Sequence, residues 1–140
     1  MMTLSSAEQQ TLRAQLRDGE NLLWMGKGAF SPASRKSGFW SRLFRKNEAA
    51  APEVLYAVTS KRVLALPAQG GEVQEWFLML GLVQAVNELP GGSGDIVFDY
   101  QERDGQKEPC GLIGIPAVAQ VRNLLNDAID AAYNASPWSV

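Results

Sequence analysis

Histidine is absent from this chain of 140 residues, and cysteine occurs once. The first absence removes a Ser-His-Asp triad, a Cys-His pair and histidine metal ligation from what one chain can assemble. The second removes an internal disulfide, so nothing points to an oxidising compartment. Cys110 has no activating base in view and reads as a small residue near a strand. Long apolar runs are also missing. The longest, "WFLMLGLV" from Trp76 to Val83, falls far short of the ~20 residues that cross a bilayer as a helix. The start, "MMTLSSAEQQTLRAQL", lacks a basic region followed by an apolar core, so it does not read as a signal peptide. A cytoplasmic protein is the expectation, with peripheral contact at the inner face of the membrane as the alternative.

Basic charge is scarce outside one segment. Of 13 basic residues, Arg35, Lys36, Arg42, Arg45 and Lys46 fall in "RKSGFWSRLFRK", residues 35–46, which holds no acidic residue. The remainder sets 8 basic residues against all 15 acidic ones, a net of -7. Such a body repels a phosphate backbone, which argues against nucleic acid as a partner. A hydrophobic share of 46% against 20% charged is a globular balance, and the length suits one domain over residues 1–140.

Local signals place the elements. Ser5 with Glu8 fits a capping box, Gly19 a helix stop, and Leu12 with Leu16 a narrow apolar face, which together predict a short N-terminal helix. "NLLWMGKG" reads as a first strand, with Leu22 and Trp24 on one side and Leu23 and Met25 on the other. "APEVLYAVTSKRVLALP" reads as a hairpin whose arms run over 54–58 and 62–66, with Val54, Tyr56 and Val58 sharing a face. Gly81 divides a short strand or turn from a strand at 82–88. "PGGSG" forces a reversal. "DIVFDYQE" alternates Ile96, Phe98 and Tyr100 with Val97, Asp99 and Gln101, and "CGLIGI" follows as the last strand. Pro116 suits the first turn of a final helix, along which Val118, Val121, Leu124, Leu125, Ala128 and Ala132 recur at helical spacing.

The order and spacing of "GENLLWMGKG", "YAVTSKRVLAL", "GSGDIVFD" and "GLIGIPAVAQVRNLLNDAI" resemble the bacterial pleckstrin-homology-like domain family over most of residues 19–134. The resemblance implies a mainly β fold with α: a bent antiparallel barrel capped by a C-terminal helix, here with a short N-terminal helix added. It implies no one function, because such scaffolds bind lipids, peptides and protein surfaces. A basic-aromatic insert at 30–52 departs from the family pattern.

That insert carries the binding candidates: Arg35, Lys36, Phe39, Trp40, Arg42, Leu43, Phe44, Arg45 and Lys46. On a helix turning about 100° per residue, Phe39, Trp40, Leu43 and Phe44 gather on one face with Arg42, Arg45 and Lys46 mostly opposite. Three readings stay open. Rings and cations suit an anionic lipid surface; aromatic and arginine side chains anchor protein interfaces; the segment also suits packing on its own chain. Lys61 and Arg62 are secondary candidates, either wetting a hairpin end or joining the insert. Asp95 and Asp99 read as a solvated strand face, "GGSG" as a turn rather than a phosphate loop, and Trp24 and Trp76 as packing residues. The expected function is a non-enzymatic scaffold for protein interaction or self-association, with anionic lipid binding as the alternative. No cofactor and no metal are expected.

Overall fold

The structure, a computed structural model, describes residues 4–29, 53–67, 72–103 and 105–134. Its elements are α1 (Ser6–Arg13), β1 (Leu22–Ala29), β2 (Glu53–Thr59), β3 (Arg62–Pro67), β4 (Gln74–Phe77), β5 (Ala85–Glu88), β6 (Gly94–Arg103), β7 (Gln106–Ile115) and α2 (Val118–Asn134).

The strands form two antiparallel sheets, one ordered β1-β2-β3-β4 and the other β5-β6-β7. Neither closes, so the barrel expected from the family resemblance is not formed, and the pleckstrin-homology-like description goes with it. Closure needs ladders from β4 to β5 and from β1 to β7, and no ladder joins either pair among the described residues. β4 and β5 are short and separated by a turn around Gly81. β1 does approach β7, but through tight packing. A methyl group on Gly28 would collide with the Ile113 carbonyl oxygen and the Tyr56 ring. The β6–β7 ladder is itself interrupted by register shifts between Gly94 and Ile96 and between Val97 and Asp99.

Burial explains why β2 and β3 are apolar on both faces. Val54, Tyr56, Val58, Val63 and Ala65 join Ile96, Phe98, Leu112 and Ile115 in the main core, together with Val118, Val121, Leu125, Ala128 and Ile129 of α2. Trp76 meets Phe98 edge-on there, with ring centroids 5.2 Å apart. The alternate residues Leu55, Ala57, Leu64 and Leu66 face away from that core, where Leu12 of α1 covers them with Leu4, Leu22, Met25 and Val73. The short N-terminal helix is therefore the lid of a second apolar layer. Its cap is the expected box: the Ser5 hydroxyl accepts from the Glu8 N–H at 3.1 Å, and the Glu8 carboxylate accepts from the Ser5 N–H at 2.9 Å.

Three local readings change. A register shift between Leu22 and Trp24 breaks the alternation of β1, so Leu22 joins Met25 in the outer layer while Trp24 packs on the main core. The helix ends before Gly19, which instead adopts φ 79° in the turn leading to β1. Pro116 precedes α2 rather than opening it: Ala117, at φ 51°, presents the carbonyl that accepts from Gln120 and Val121.

Candidate functional site

Between the sheets, at the end of β4 away from the Gly81 turn, lies a cleft of about 240 Å³. β2 contributes Val54 and Tyr56, β3 contributes Ala65 and Pro67, and β7 contributes Pro109, Cys110 and Gly111. These form apolar walls around a phenol and a thiol. The exposed residues Glu72, Gln74 and Gln101 stand at the mouth, with the half-buried Glu108 beside them.

The site arises from register. Gln101 pairs with Glu108 near the end of the β6–β7 hairpin, and Val54 pairs with Pro67 at the end of the β2–β3 hairpin. Proline at 67 and 109 supplies rigid apolar surface without an N–H to satisfy. Burial pushes the Tyr56 phenol above its usual range, against a hydrogen bond from the Ile113 backbone. Tyr56 is therefore a neutral wall of the cleft. The Cys110 thiol faces the Glu108 carbonyl oxygen at 3.7 Å.

The size of the cleft decides what it can hold. An apolar cavity of about 150 Å³ accepts a benzene ring, whereas sites for drug-sized ligands run from roughly 300 to 1,000 Å³. One aromatic or arginine side chain fits; a nucleotide-sized cofactor does not. The exposed Glu72 carboxylate at the cleft favours a cation over an anion there. Among the described residues, no group of three or more Cys, Asp or Glu is placed to hold a metal ion. No helix there is long and apolar enough to cross a membrane.

The principal sequence candidates, Arg35, Lys36, Phe39, Trp40, Arg42, Leu43, Phe44, Arg45 and Lys46, lie outside the described residues. Their segment leaves and re-enters the sheet at the Ala29–Glu53 pair, next to the cleft residue Val54. Lys61 is exposed at the other end of β2, roughly 20 Å away along a strand of this length. Arg62 is buried. Its guanidinium donates to Glu20 Oε2 at 2.8 Å and Oε1 at 3.1 Å, to the Gln15 carbonyl at 2.7 Å and to Glu75. Thr59 donates from its hydroxyl to Glu20 at 2.7 Å. Burial opposes ionisation of Glu20, but the hydrogen bonds from Arg62, Thr59 and the Arg17 N–H outweigh it and hold its pKa at about 2. This clasp fastens the segment after α1 to the β2–β3 turn and to β4.

Asp95 is also buried rather than solvated. Its carboxylate accepts from the Gly114 N–H at 2.8 Å where the β6–β7 register shifts; Asp99 stays exposed. The cleft is not legible in the sequence because its residues come from separate strands. Pro67 at the end of β3 and Pro109 within β7 are the one local signal. Phe77, Met79 and Leu80 are each more than half exposed.

Comparisons of the chain with protein-family models, with curated proteins and with solved structures find no match.

Proposed function

We propose that this protein is a non-enzymatic binding scaffold that docks a segment of a protein in the cleft between its sheets. The observation that carries this reading is the pairing of a side-chain-sized, largely apolar cleft with the exposed carboxylate of Glu72. Burying one ring or one guanidinium stem in such a cleft, with its charge facing a carboxylate, is how aromatic and arginine residues anchor protein interfaces. Backbone on both sides of the cleft is held in hairpins, so the walls stand ready before a partner arrives.

Peripheral binding to anionic lipid is the second reading. The five basic residues and three aromatic rings of residues 35–46 support it, because each nearby cation contributes roughly 1 kcal/mol at an anionic surface. The acidic opening of the cleft opposes it there.

Backbone amide NMR on the full chain separates the two. The tripeptide Arg-Phe-Arg, blocked at both ends, is expected to shift amides of residues 54–56, 65–66 and 108–111, and the shifts are expected to fade in E72K/Q101K. Both positions are exposed, so the variant keeps its fold. Vesicles containing phosphatidylserine serve as the second arm. Sedimentation with these vesicles, combined with no peptide shifts in the cleft, overturns protein docking in favour of the lipid reading.

A further inference from the structure

We infer that the segment docked in the cleft comes from a second copy of this chain, whose residues 35–46 supply the aromatic anchor and the cations. The inference rests on the protein-docking reading above and names its partner.

Charge is the first argument. The chain divides into a segment with five basic and no acidic residues and a remainder of net -7, and the cleft opening belongs to the acidic part. Two identical chains would repel one another body to body. They attract wherever the basic segment of one meets the acidic opening of the other.

Fit is the second. The segment offers Phe39, Trp40 and Phe44 within six positions, and Arg42 and Arg45 between and beside them. One ring occupies a cleft of about 240 Å³, and a neighbouring arginine then lies within reach of the exposed Glu72.

Placement is the third. The segment joins the sheet through the Ala29–Glu53 pair, and the next residue, Val54, lines the cleft. The strand ends that flank the segment and the cleft therefore share one end of the molecule. Two copies meeting end to end across a two-fold axis can each give a segment and each receive one, a closed isologous contact. The reciprocal arrangement doubles every favourable pair, so a modest contact per cleft is used twice.

Sedimentation equilibrium over a wide concentration range tests this on the full chain. The wild type is expected to dimerise with an affinity that falls as salt rises. F39S/W40S, R42E/R45E and E72K/Q101K are each expected to weaken dimerisation about tenfold or more. The decisive variant combines both charge reversals in one chain, R42E/R45E/E72K/Q101K, and is expected to regain the dimer lost by each alone. Rescue by complementary reversal is not produced by a folding defect.

A synthetic peptide of sequence RKSGFWSRLFRK, added to the same proteins, separates the two levels. Peptide bound at the cleft by a strictly monomeric wild type overturns the second copy as partner while leaving protein docking standing. Peptide that binds F39S/W40S but not a monomeric wild type overturns it too, because the cleft is then filled within one chain. No peptide binding by any variant overturns the docking reading as well.

Discussion

Replacing Arg62 with methionine should be among the most damaging single changes in this protein. The side chains of Arg62 and Glu20 are 5% and 1% exposed, so their ion pair is screened little by water. Methionine keeps much of the volume and removes every donor. Glu20 would keep its bonds from the Thr59 hydroxyl and the Arg17 N–H but lose the counter-charge of Arg62. Breaking a buried pair in this way costs about 3–5 kcal/mol, a large share of the 5–15 kcal/mol that holds a typical domain together. The assay is urea denaturation of wild type, R62M, E20M and the double variant. The double variant should be less destabilised than the two single costs added, because it leaves no orphaned charge. Glu20 adds a pH signature. Its folded pKa of about 2 lies below the ordinary carboxylate value of 4.5, so the stabilisation is fully present above about pH 4.5. It is lost as pH falls through 2. The loss amounts to about 3 kcal/mol, and E20Q should flatten that acid limb. An R62M midpoint within experimental error of wild type, with an unchanged acid limb in E20Q, would refute the clasp.

Other outcomes follow from the packing. Gly28→Ala should destabilise the protein strongly, because the methyl group meets the Ile113 carbonyl oxygen and Tyr56; thermal unfolding checks it, and a stability gain would contradict the β1–β7 approach. Leu12→Ala should cost about 2–5 kcal/mol, since Leu12 is fully buried over Leu55, Ala57, Leu64 and Leu66; denaturant titration reads this, and a near-neutral result would mean that α1 does not cover the outer layer. Met79→Ser with Leu80→Ser should change stability by less than about 1 kcal/mol, because these side chains are 59% and 57% exposed. The same melts score it, and a large loss would place the pair in the core.

What was legible in the sequence follows from the range of each interaction. The capping box of Ser5 and Glu8 and the β2–β3 hairpin depend on neighbours, and both were readable. The apolar spacing of α2 likewise matches its buried face, with Val118, Val121, Leu125 and Ala128 inside. Closure was not readable. Whether β1 pairs with β7 depends on backbone geometry across strands far apart in sequence, and the motifs that suggested a barrel do not encode it. Register shifts defeated alternation twice, moving Leu22 off the face of Trp24 and burying Asp95 against Gly114. Arg62 looked like a wet hairpin residue because its partner Glu20 lies 42 positions away. The cleft needed β2, β3 and β7 to meet before Tyr56, Pro67 and Pro109 could share a wall.

On the proposed function, the cleft receives a positively charged, ring-bearing protein segment. Titration of the full chain with Arg-Phe-Arg, followed by amide shifts, is the decisive measurement. Saturable shifts at residues 54–56 and 108–111 that fade in E72K/Q101K are predicted. Shifts scattered over the acidic surface, or equal in both proteins, would contradict it.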